Sequence, residues 1–139
     1  MPVFQKSFRV STRGHGDVQD VTTQVSRIVA DSRIRQGIVN VTGVGSTLGI
    51  TTLEFESGCV ADLRRALEEI APAGGDYAHN ARWGDGNGYA HLRSALIGTG
   101  RSFAVNDGQL MTGTWQQIVL CDFDNRTRDR QVLVTVVGE

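Results

Sequence analysis

The sheet of this protein is best predicted from one stretch of the chain, Ser102-Phe103-Ala104-Val105-Asn106-Asp107-Gly108-Gln109-Leu110-Met111-Thr112. Two short runs of strand-forming residues flank an Asn-Asp-Gly turn. Asp-Gly in this position is a strong hairpin signal, because a tight hairpin turn needs positive φ angles that these two residues tolerate. We therefore predict strands at 102–105 and 109–112, joined as an antiparallel hairpin.

Five further strands are predicted outside that hairpin. A mostly two-residue apolar period indicates a strand at 2–12, and β-branched residues indicate strands at 38–44 and 49–55. Similar runs at 114–122 and 131–137 flank a polar turn. We expect these last two strands to pair with each other as a hairpin.

Three helices are predicted from apolar residues at helical spacing. The first runs from 17 to 34 with Asp17 as its N-cap, the second from 57 to 70 with Ser57 as its N-cap, and the third begins after Asn87. Their apolar faces are formed by Val18, Val21, Val25, Ile28 and Val29, by Val60, Leu63, Leu67 and Ile70, and by Leu92, Ala95 and Leu96. The elements predict one α+β domain over 1–139, a mixed or antiparallel sheet packed with two to three helices.

The composition limits the classes of partner. The chain has 139 residues and a formal net charge of -1, which gives no electrostatic footprint for nucleic acid or for an acidic membrane surface. No apolar run is long enough to cross a membrane, and Met1 to Lys6 lack the apolar core of a signal peptide. We expect a cytoplasmic protein with no nucleic-acid and no membrane partner. Cys59 and Cys121 are expected to be free thiols.

Two of the three histidines lie in one glycine-rich stretch, and they are the main candidates for chemistry. His79 precedes a loop without an apolar period, and His91 falls in the first turn of the third helix. Histidine exchanges protons near neutral pH, and a helix N-terminus favours anions. With Asn87 as the helix N-cap, the stretch predicts a polar pocket built from these side chains.

The join between the strands at 38–44 and 49–55 is a second candidate for ligand contact. It contains three glycines together with Ser46 and Thr47, whose hydroxyls could hydrogen-bond an anion. The same glycines also suit a plain turn or bulge. No helix follows the join, so dinucleotide-binding and P-loop motifs are excluded.

The closing part of the chain resembles a known family. The residues are Gly108-Gln109-Leu110-Met111-Thr112-Gly113-Thr114-Trp115-Gln116-Gln117-Ile118, followed by Leu120-Cys121-Asp122-Phe123-Asp124 and Arg126-Thr127-Arg128. They resemble the closing signature of the YjbQ-like family, also labelled the secondary thiamine-phosphate synthase family. The resemblance extends over nearly the whole chain and includes Thr12-Arg13-Gly14.

The resemblance implies a small cytoplasmic α+β protein that forms a homotrimer and has a histidine-lined polar pocket. It also implies a weak ability to join the two halves of thiamine phosphate, or the handling of another small phosphorylated ligand. A divalent metal, zinc or magnesium, would be held by His79 and His91. Two histidines of the family pattern are replaced here, by Gly45 and Tyr89. Two imidazoles leave the usual three-ligand zinc set incomplete. Either another side chain completes the set, with Asp85, Tyr89, Glu54 and His15 as the candidates, or the histidines are hydrogen-bonded in a pocket wall without a metal.

Eight residues are candidates for the site, some from their chemistry and some from the resemblance. The catalytic candidates are His91 as general acid or base, His79 as the orienting partner, and Glu54, which matches the acidic residue that ends the family's second strand motif. The candidates for substrate binding are Ser46, Thr47, Asn87, Trp115 and Gln116.

Several of these residues have a structural alternative. Trp115 also suits a core or an interface, and Glu54 also suits an exposed strand end. Arg126, Arg128 and Arg130 could clamp phosphate or form a solvated turn. Two hypotheses therefore stand: a phosphate-handling enzyme with weak thiamine-phosphate synthase activity, and a non-catalytic trimeric ligand-binding protein whose catalytic site has decayed.

Overall fold

The computed structural model describes residues 1–139 as two antiparallel sheets and four helices. The elements in chain order are β1 (Val3–Thr12), β2 (Asp17–Asp20), α1 (Thr22–Ser32), β3 (Gln36–Gly43), β4 (Leu48–Leu53), α2 (Ser57–Ile70), α3 (Ala78–Trp83), α4 (Gly88–Ile97), β5 (Gly100–Asn106), β6 (Gln109–Leu110), β7 (Gln117–Asp122) and β8 (Arg128–Gly138). One sheet has the strand order β1-β8-β3-β5-β6, and the other has the order β2-β7-β4. The predicted α+β class is confirmed, with four helices on the sheets.

The Asp-Gly turn forms the predicted hairpin. Strand β5 pairs with β6 through Val105 opposite Leu110 and Asn106 opposite Gln109. The φ angles of Asp107 and Gly108 are 52° and 75°, the combination that a tight type I′ turn requires.

The expected hairpin between the last two strands is wrong. Strand β7 pairs with β2 and β4, whereas β8 pairs with β1 and β3 in the other sheet. The segment between them is a corner that carries the chain from one sheet to the other. At this corner the Asp122 and Asp124 carboxylates are enclosed and hydrogen-bonded by Arg130, Arg128 and Thr47, contacts that a solvated hairpin turn would not provide.

The starts of two helices also differ from the prediction. Residues 17 to 20 form strand β2, and α1 begins at Thr22, whose N–H donates to Oδ1 of Asp20 at 2.9 Å. The spacing of the valines in this stretch is compatible with one long helix, and it is equally compatible with a short strand followed by a helix. At α2 the N-cap is Glu56 instead of Ser57, because the Glu56 carboxylate accepts the N–H groups of Gly58 and Cys59.

The three-stranded sheet is buried on both faces. From β7, Ile118 and Leu120 pack into a core shared with α1 and the five-stranded sheet, whereas Val119 and Cys121 pack into a second core with α2 and α4. In this arrangement α4 packs on β4, and the Ser94 hydroxyl donates to the carbonyl oxygen of Leu48 at 2.6 Å. No helix of the fold has both the length and the apolar character needed to cross a membrane.

Candidate functional site

A polar surface pocket lies between the β3–β4 loop and α4. Its volume is about 400 Å³, and it is lined by Gly45, Ser46, His91, Ser94, Ala95, Gly98 and Thr99. We call it the His91 pocket. Ser46 is exposed and the His91 side chain is half-buried, so both lie within reach of a bound molecule. The predicted pocket residues Ser46 and His91 are therefore brought together.

Helix α3 brings His79 beside His91. Their ring centroids are 4.5 Å apart with an interplanar angle of 37°. The two helices approach closely because Gly88 has no side chain: a Cβ there would lie 2.8 Å from Cβ of Tyr77. The N–H of Gly88 also donates to Oδ1 of Asn80 at 2.9 Å. His79, expected just before a loop, thus lies within a short helix and forms a histidine pair with His91.

One nitrogen of the histidine pair has no partner in the chain. Nδ1 of His79 is enclosed and makes no hydrogen bond. The nearest carboxylate oxygen, Oδ1 of Asp85, lies 3.5 Å away but outside hydrogen-bond geometry. A buried polar atom without a hydrogen-bond partner carries a desolvation cost of about 1–3 kcal/mol, so Nδ1 of His79 is a point of unmet hydrogen bonding next to His91.

A cluster of buried charges lies beneath the start of α4. Asp122 accepts two hydrogen bonds from Arg130, from Nε at 2.7 Å and from Nη2 at 2.8 Å. Asp124 accepts from Nε of Arg128 at 2.8 Å and from the Thr47 hydroxyl at 3.1 Å. Nη2 of Arg130 also donates to Thr47 at 2.7 Å and so links the two carboxylates. We call Asp122, Asp124, Arg128, Arg130 and Thr47 the carboxylate cluster.

The environment of Asp124 keeps its carboxylate ionised. Burial alone raises the pKa of a carboxyl group, because it disfavours the charged form. Here the N–H of Asn125 and the side chains of Arg128, Asn87 and Thr47 all donate to Asp124, and together they lower its pKa from 3.8 to about 2. Asp124 is therefore an anion at neutral pH and a structural acceptor instead of a proton donor.

Asn87 joins the carboxylate cluster to α4. It occupies the N-cap position of α4, but its side chain does not cap the helix. Instead Nδ2 donates to Oδ1 of Asp124 at 3.2 Å, and Oδ1 of Asn87 is enclosed without a partner. The backbone carbonyl oxygen of Asn87 accepts the N–H of His91. Thr47 is likewise buried with its hydroxyl engaged in the cluster, so both predicted ligand-binding residues lie beneath the pocket.

The remaining predicted site residues lie apart from the histidines. Glu54 follows β4 and is exposed, and it does not line the His91 pocket. Gln116 accepts the N–H of Gly113 and donates to the Thr52 hydroxyl. Trp115 is 73% exposed. A single chain therefore does not bring these three side chains to His91.

The donor set for a metal is incomplete within one chain. No group of three or more His, Cys, Asp or Glu side chains could hold a metal ion. The histidine pair supplies two imidazoles, whereas a catalytic zinc usually takes three protein ligands. The residues of one chain do not fit a metal centre, so no chemical step is assigned to one.

The carboxylate cluster was not predicted from the sequence as a structural unit. A signal was available, because Asp122 and Asp124 are two residues apart, as are Arg128 and Arg130. Residues two apart on extended chain project from the same face. A pair of acidic residues followed by a pair of arginines on the next segment indicates ion pairing. The solvated turn is the other interpretation of the same arginines.

A family model matches almost the whole chain. The model described as "UPF0047 protein YjbQ-like" matches residues 6–139. A UPF0047 protein of Methanothermobacter thermautotrophicus is 34% identical over 139 residues, covering 100% of this chain and 95% of the relative. The UPF0047 protein YugU of Bacillus subtilis is 31% identical over 135 residues, covering 96% and 98%.

Solved structures with the same fold come from the same group of proteins. A YbjQ-like protein of unknown function from Sulfolobus solfataricus superposes with a TM-score of 0.94 at 33% identity, covering 99% of each chain. A conserved YjbQ/UPF0047 family protein from Clostridium acetobutylicum superposes with a TM-score of 0.86 at 29% identity, covering 95% of this chain and 99% of that one. The descriptions of these four proteins name no substrate.

Proposed function

The chain belongs to the UPF0047 YjbQ-like family, and from this premise we propose that it binds a small phosphorylated ligand in the His91 pocket and acts on it by acid–base catalysis. His91 is the general acid or base, and His79 orients it or relays its proton. The observation that carries the proposal is the histidine pair at the edge of this pocket, with one enclosed Nδ1 that has no partner. The proposed compartment is the cytoplasm, whose reducing conditions suit two free cysteines.

The chemistry follows from the positions of the polar groups. The hydroxyls of Ser46 and Thr99 and the imidazole of His91 are side-chain groups of the His91 pocket that can donate to phosphate oxygens, whereas the Ser94 hydroxyl already donates to Leu48. An imidazole within hydrogen-bond reach of a leaving oxygen can give it a proton, and such general acid–base catalysis contributes roughly 10²–10⁴-fold in rate. His79 contacts the His91 ring from α3 and holds it in the pocket wall.

The test compares three histidine variants. We expect His91→Asn to abolish turnover of phosphate esters, assayed with p-nitrophenyl phosphate and with the pyrimidine and thiazole halves of thiamine phosphate. We expect His79→Asn to lower it by about 10²-fold or more. His15→Asn is the matched control, because His15 is exposed and its φ of 55° is one that asparagine tolerates. Equal rates for His91→Asn and His15→Asn would contradict a catalytic role.

Thiamine-phosphate formation has weaker support than phosphate handling in general. It displaces a diphosphate, which normally requires a divalent cation held by carboxylates. Asp122 and Asp124 are the buried acidic residues nearest the pocket loop, and both are paired with arginines. The family resemblance alone therefore supports this activity, and for that reason the two halves of thiamine phosphate are among the assay substrates.

Apolar side chains on the outer face of α4 support a proposed homotrimer. Leu92 is 40% exposed and Leu96 is 57% exposed, although both were expected on a buried face. Tyr89, Arg93 and Ser94 are buried instead. Residues exposed in a row on one helix suit a contact between copies. We expect light scattering to give three times 15.1 kDa, and Leu96→Asp, but not Ile70→Asp on the exposed face of α2, to give the monomer mass.

A second candidate is a ligand-binding protein without catalysis. It is favoured by one observation, that the histidine pair is not part of a group of three His, Cys, Asp or Glu side chains that could hold a metal ion. In this case the His91 pocket binds inorganic phosphate with the same dependence on His91, but no phosphate ester is turned over. Binding without turnover supports the second candidate, and any turnover lost in His79→Asn excludes it.

A further inference from the structure

We infer that Gly45 opens the His91 pocket onto the guanidinium of Arg130, whose free Nη1 is an anion-binding donor and makes the site selective for oxyanions of the phosphate class. This inference rests on the proposed function, because it concerns the ligand of the same pocket. It adds a specificity-determining residue, Gly45, and a binding residue, Arg130, that does not appear among the pocket-lining side chains.

Two of the three nitrogens of the Arg130 guanidinium are occupied. Nε donates to Oδ2 of Asp122, and Nη2 donates to Oδ1 of Asp122 and to the Thr47 hydroxyl. Nη1 makes no hydrogen bond in the chain, although Arg130 is only 7% exposed. Nη1 is also not among the side-chain nitrogens that are fully enclosed without a partner. This nitrogen therefore keeps free donors that remain accessible from the surface.

The space next to Nη1 is the space that a side chain at position 45 would fill. A Cβ built on Gly45 would lie 2.9 Å from Nη1 of Arg130 and 3.1 Å from Cδ2 of Leu48. Gly45 does not have a positive φ, so its backbone conformation does not require glycine. The lack of room for a side chain therefore explains glycine at this position. The space left open connects the His91 pocket with Arg130.

The carboxylate cluster holds the guanidinium in place before a ligand arrives. Asp122, which grips Arg130 through two oxygens, is itself held by the Thr12 hydroxyl and the N–H of Asp124. Arg128 balances the charge of Asp124, so Arg130 is not the only cation for two carboxylates. A guanidinium fixed by three hydrogen bonds loses little side-chain entropy on binding, and its remaining N–H groups suit phosphate oxygens.

Three groups can then share one anion. Nη1 of Arg130 reaches it through the Gly45 gap, and the Ser46 hydroxyl and the His91 imidazole reach it from the pocket wall. Arginine N–H donors form charge-assisted hydrogen bonds, which are roughly twice as strong as neutral ones. The strongest single contact to the ligand would thus come from beneath the β3–β4 loop.

The test measures inorganic phosphate binding by calorimetry on the wild-type chain and three variants. Gly45→Ala places a methyl group against Nη1 without removing any charge. Gly74→Ala is the matched control, because a Cβ there meets nothing within 4 Å and its φ is not positive. We expect Gly45→Ala to weaken phosphate binding about tenfold or more, Gly74→Ala to leave it unchanged, and His91→Asn to weaken it as well.

The outcomes separate this inference from the proposed function. If His91→Asn abolishes phosphate binding and Gly45→Ala does not change it, the proposed pocket stands and the role of Arg130 is overturned. If the wild-type chain does not bind phosphate, both are overturned. Arginine-selective NMR on the wild-type chain gives a second measurement that needs no variant to fold. A phosphate-dependent shift of the Arg130 guanidinium resonances supports the inference, and unchanged resonances at saturating phosphate overturn it.

Discussion

The carboxylate cluster and the histidine pair differ in how completely their buried polar atoms are satisfied. In the cluster, both oxygens of Asp122 and of Asp124 accept hydrogen bonds from arginine, hydroxyl, amide or backbone donors. In the pair, Nδ1 of His79 is enclosed without a hydrogen bond. Because each unmade buried hydrogen bond costs about 1–3 kcal/mol, the fold accepts a cost at His79 that it avoids at the two carboxylates of the cluster.

Asn87 connects the two regions and explains why they lie together. Its side chain donates to Asp124, and its backbone carbonyl oxygen accepts the N–H of His91. The cluster therefore fixes the first turn of α4, and that turn carries His91. The satisfied region therefore supports the unsatisfied one. Substitutions in the cluster should change the free energy of unfolding, whereas substitutions in the pair should change ligand binding.

The largest effect is expected for Asp122→Asn. The substitution keeps the shape of the side chain but leaves the Arg130 guanidinium buried without its charged partner. Breaking a buried ion pair in this way costs about 3–5 kcal/mol, measured as the loss in the free energy of unfolding by urea denaturation. Asp129→Asn is the control, because Asp129 is exposed and pairs with Arg9 only at 3.7 Å. Equal losses for the two variants would mean that the cluster is not a support.

A smaller effect is expected from acid. The pKa of Asp124 is lowered from 3.8 to about 2, so its contribution is complete above the unfolded value and is lost as the pH falls from 3.8 through 2. A shift of this size corresponds to about 2 kcal/mol. We expect the unfolding free energy to drop by about that amount more in the wild-type chain than in Asp124→Asn over this pH range. Parallel curves for the two proteins would contradict the assignment.

The histidine pair should be nearly neutral for stability. Replacing His79 by Asn removes an imidazole nitrogen that has no partner, so no hydrogen bond of that atom is lost. We expect the unfolding free energy of His79→Asn to lie within about 1 kcal/mol of the wild-type value, while phosphate binding falls. A loss as large as that of Asp122→Asn would place the pair in the structural support and erase the contrast between the regions.

The same contrast explains what the sequence could predict. The strands and the Asp-Gly hairpin depend on alternation and turn chemistry, which are local, and each of the seven predicted strands overlaps an observed one, whereas β2 was not predicted. The pairing of β7 and β8 depends on where the Asp122 and Asp124 carboxylates are satisfied. Their partners Thr47 and Arg130 are 77 and 8 residues away along the chain. The spacing of the charged pairs indicates the arginine contacts, but no local pattern indicates the contact with Thr47.

The candidate site was predictable to a similar extent. His79 and His91 could be placed near each other because α3 and α4 are consecutive and joined by a short glycine-rich loop. The outward direction of Leu92 and Leu96 was not predictable, since Tyr89 and Arg93 of the same helix are buried instead. Arg93 is held by the Ala71 carbonyl oxygen and by Glu68, which are contacts to another helix and its end. Tertiary hydrogen bonds of this kind override the apolar period of a helix.

The smallest effect is expected for the rate at which Cys121 reacts with a thiol reagent when a residue of the histidine pair is replaced. Burial raises the pKa of the Cys121 thiol to about 12, so it should react with a thiol reagent only after the fold opens, whereas the half-buried Cys59 should react in the folded state. Cys121 precedes Asp122 in β7, so the rate of its reaction with the reagent reports on the stability of the carboxylate cluster. We expect the rate to rise on the order of a hundredfold to a few thousandfold in Asp122→Asn, because a loss of about 3–5 kcal/mol raises the open population by that factor, and to change within about twofold in His91→Asn. A large rise in His91→Asn would mean that the histidine pair also stabilises β7, and that the two regions form one structural unit.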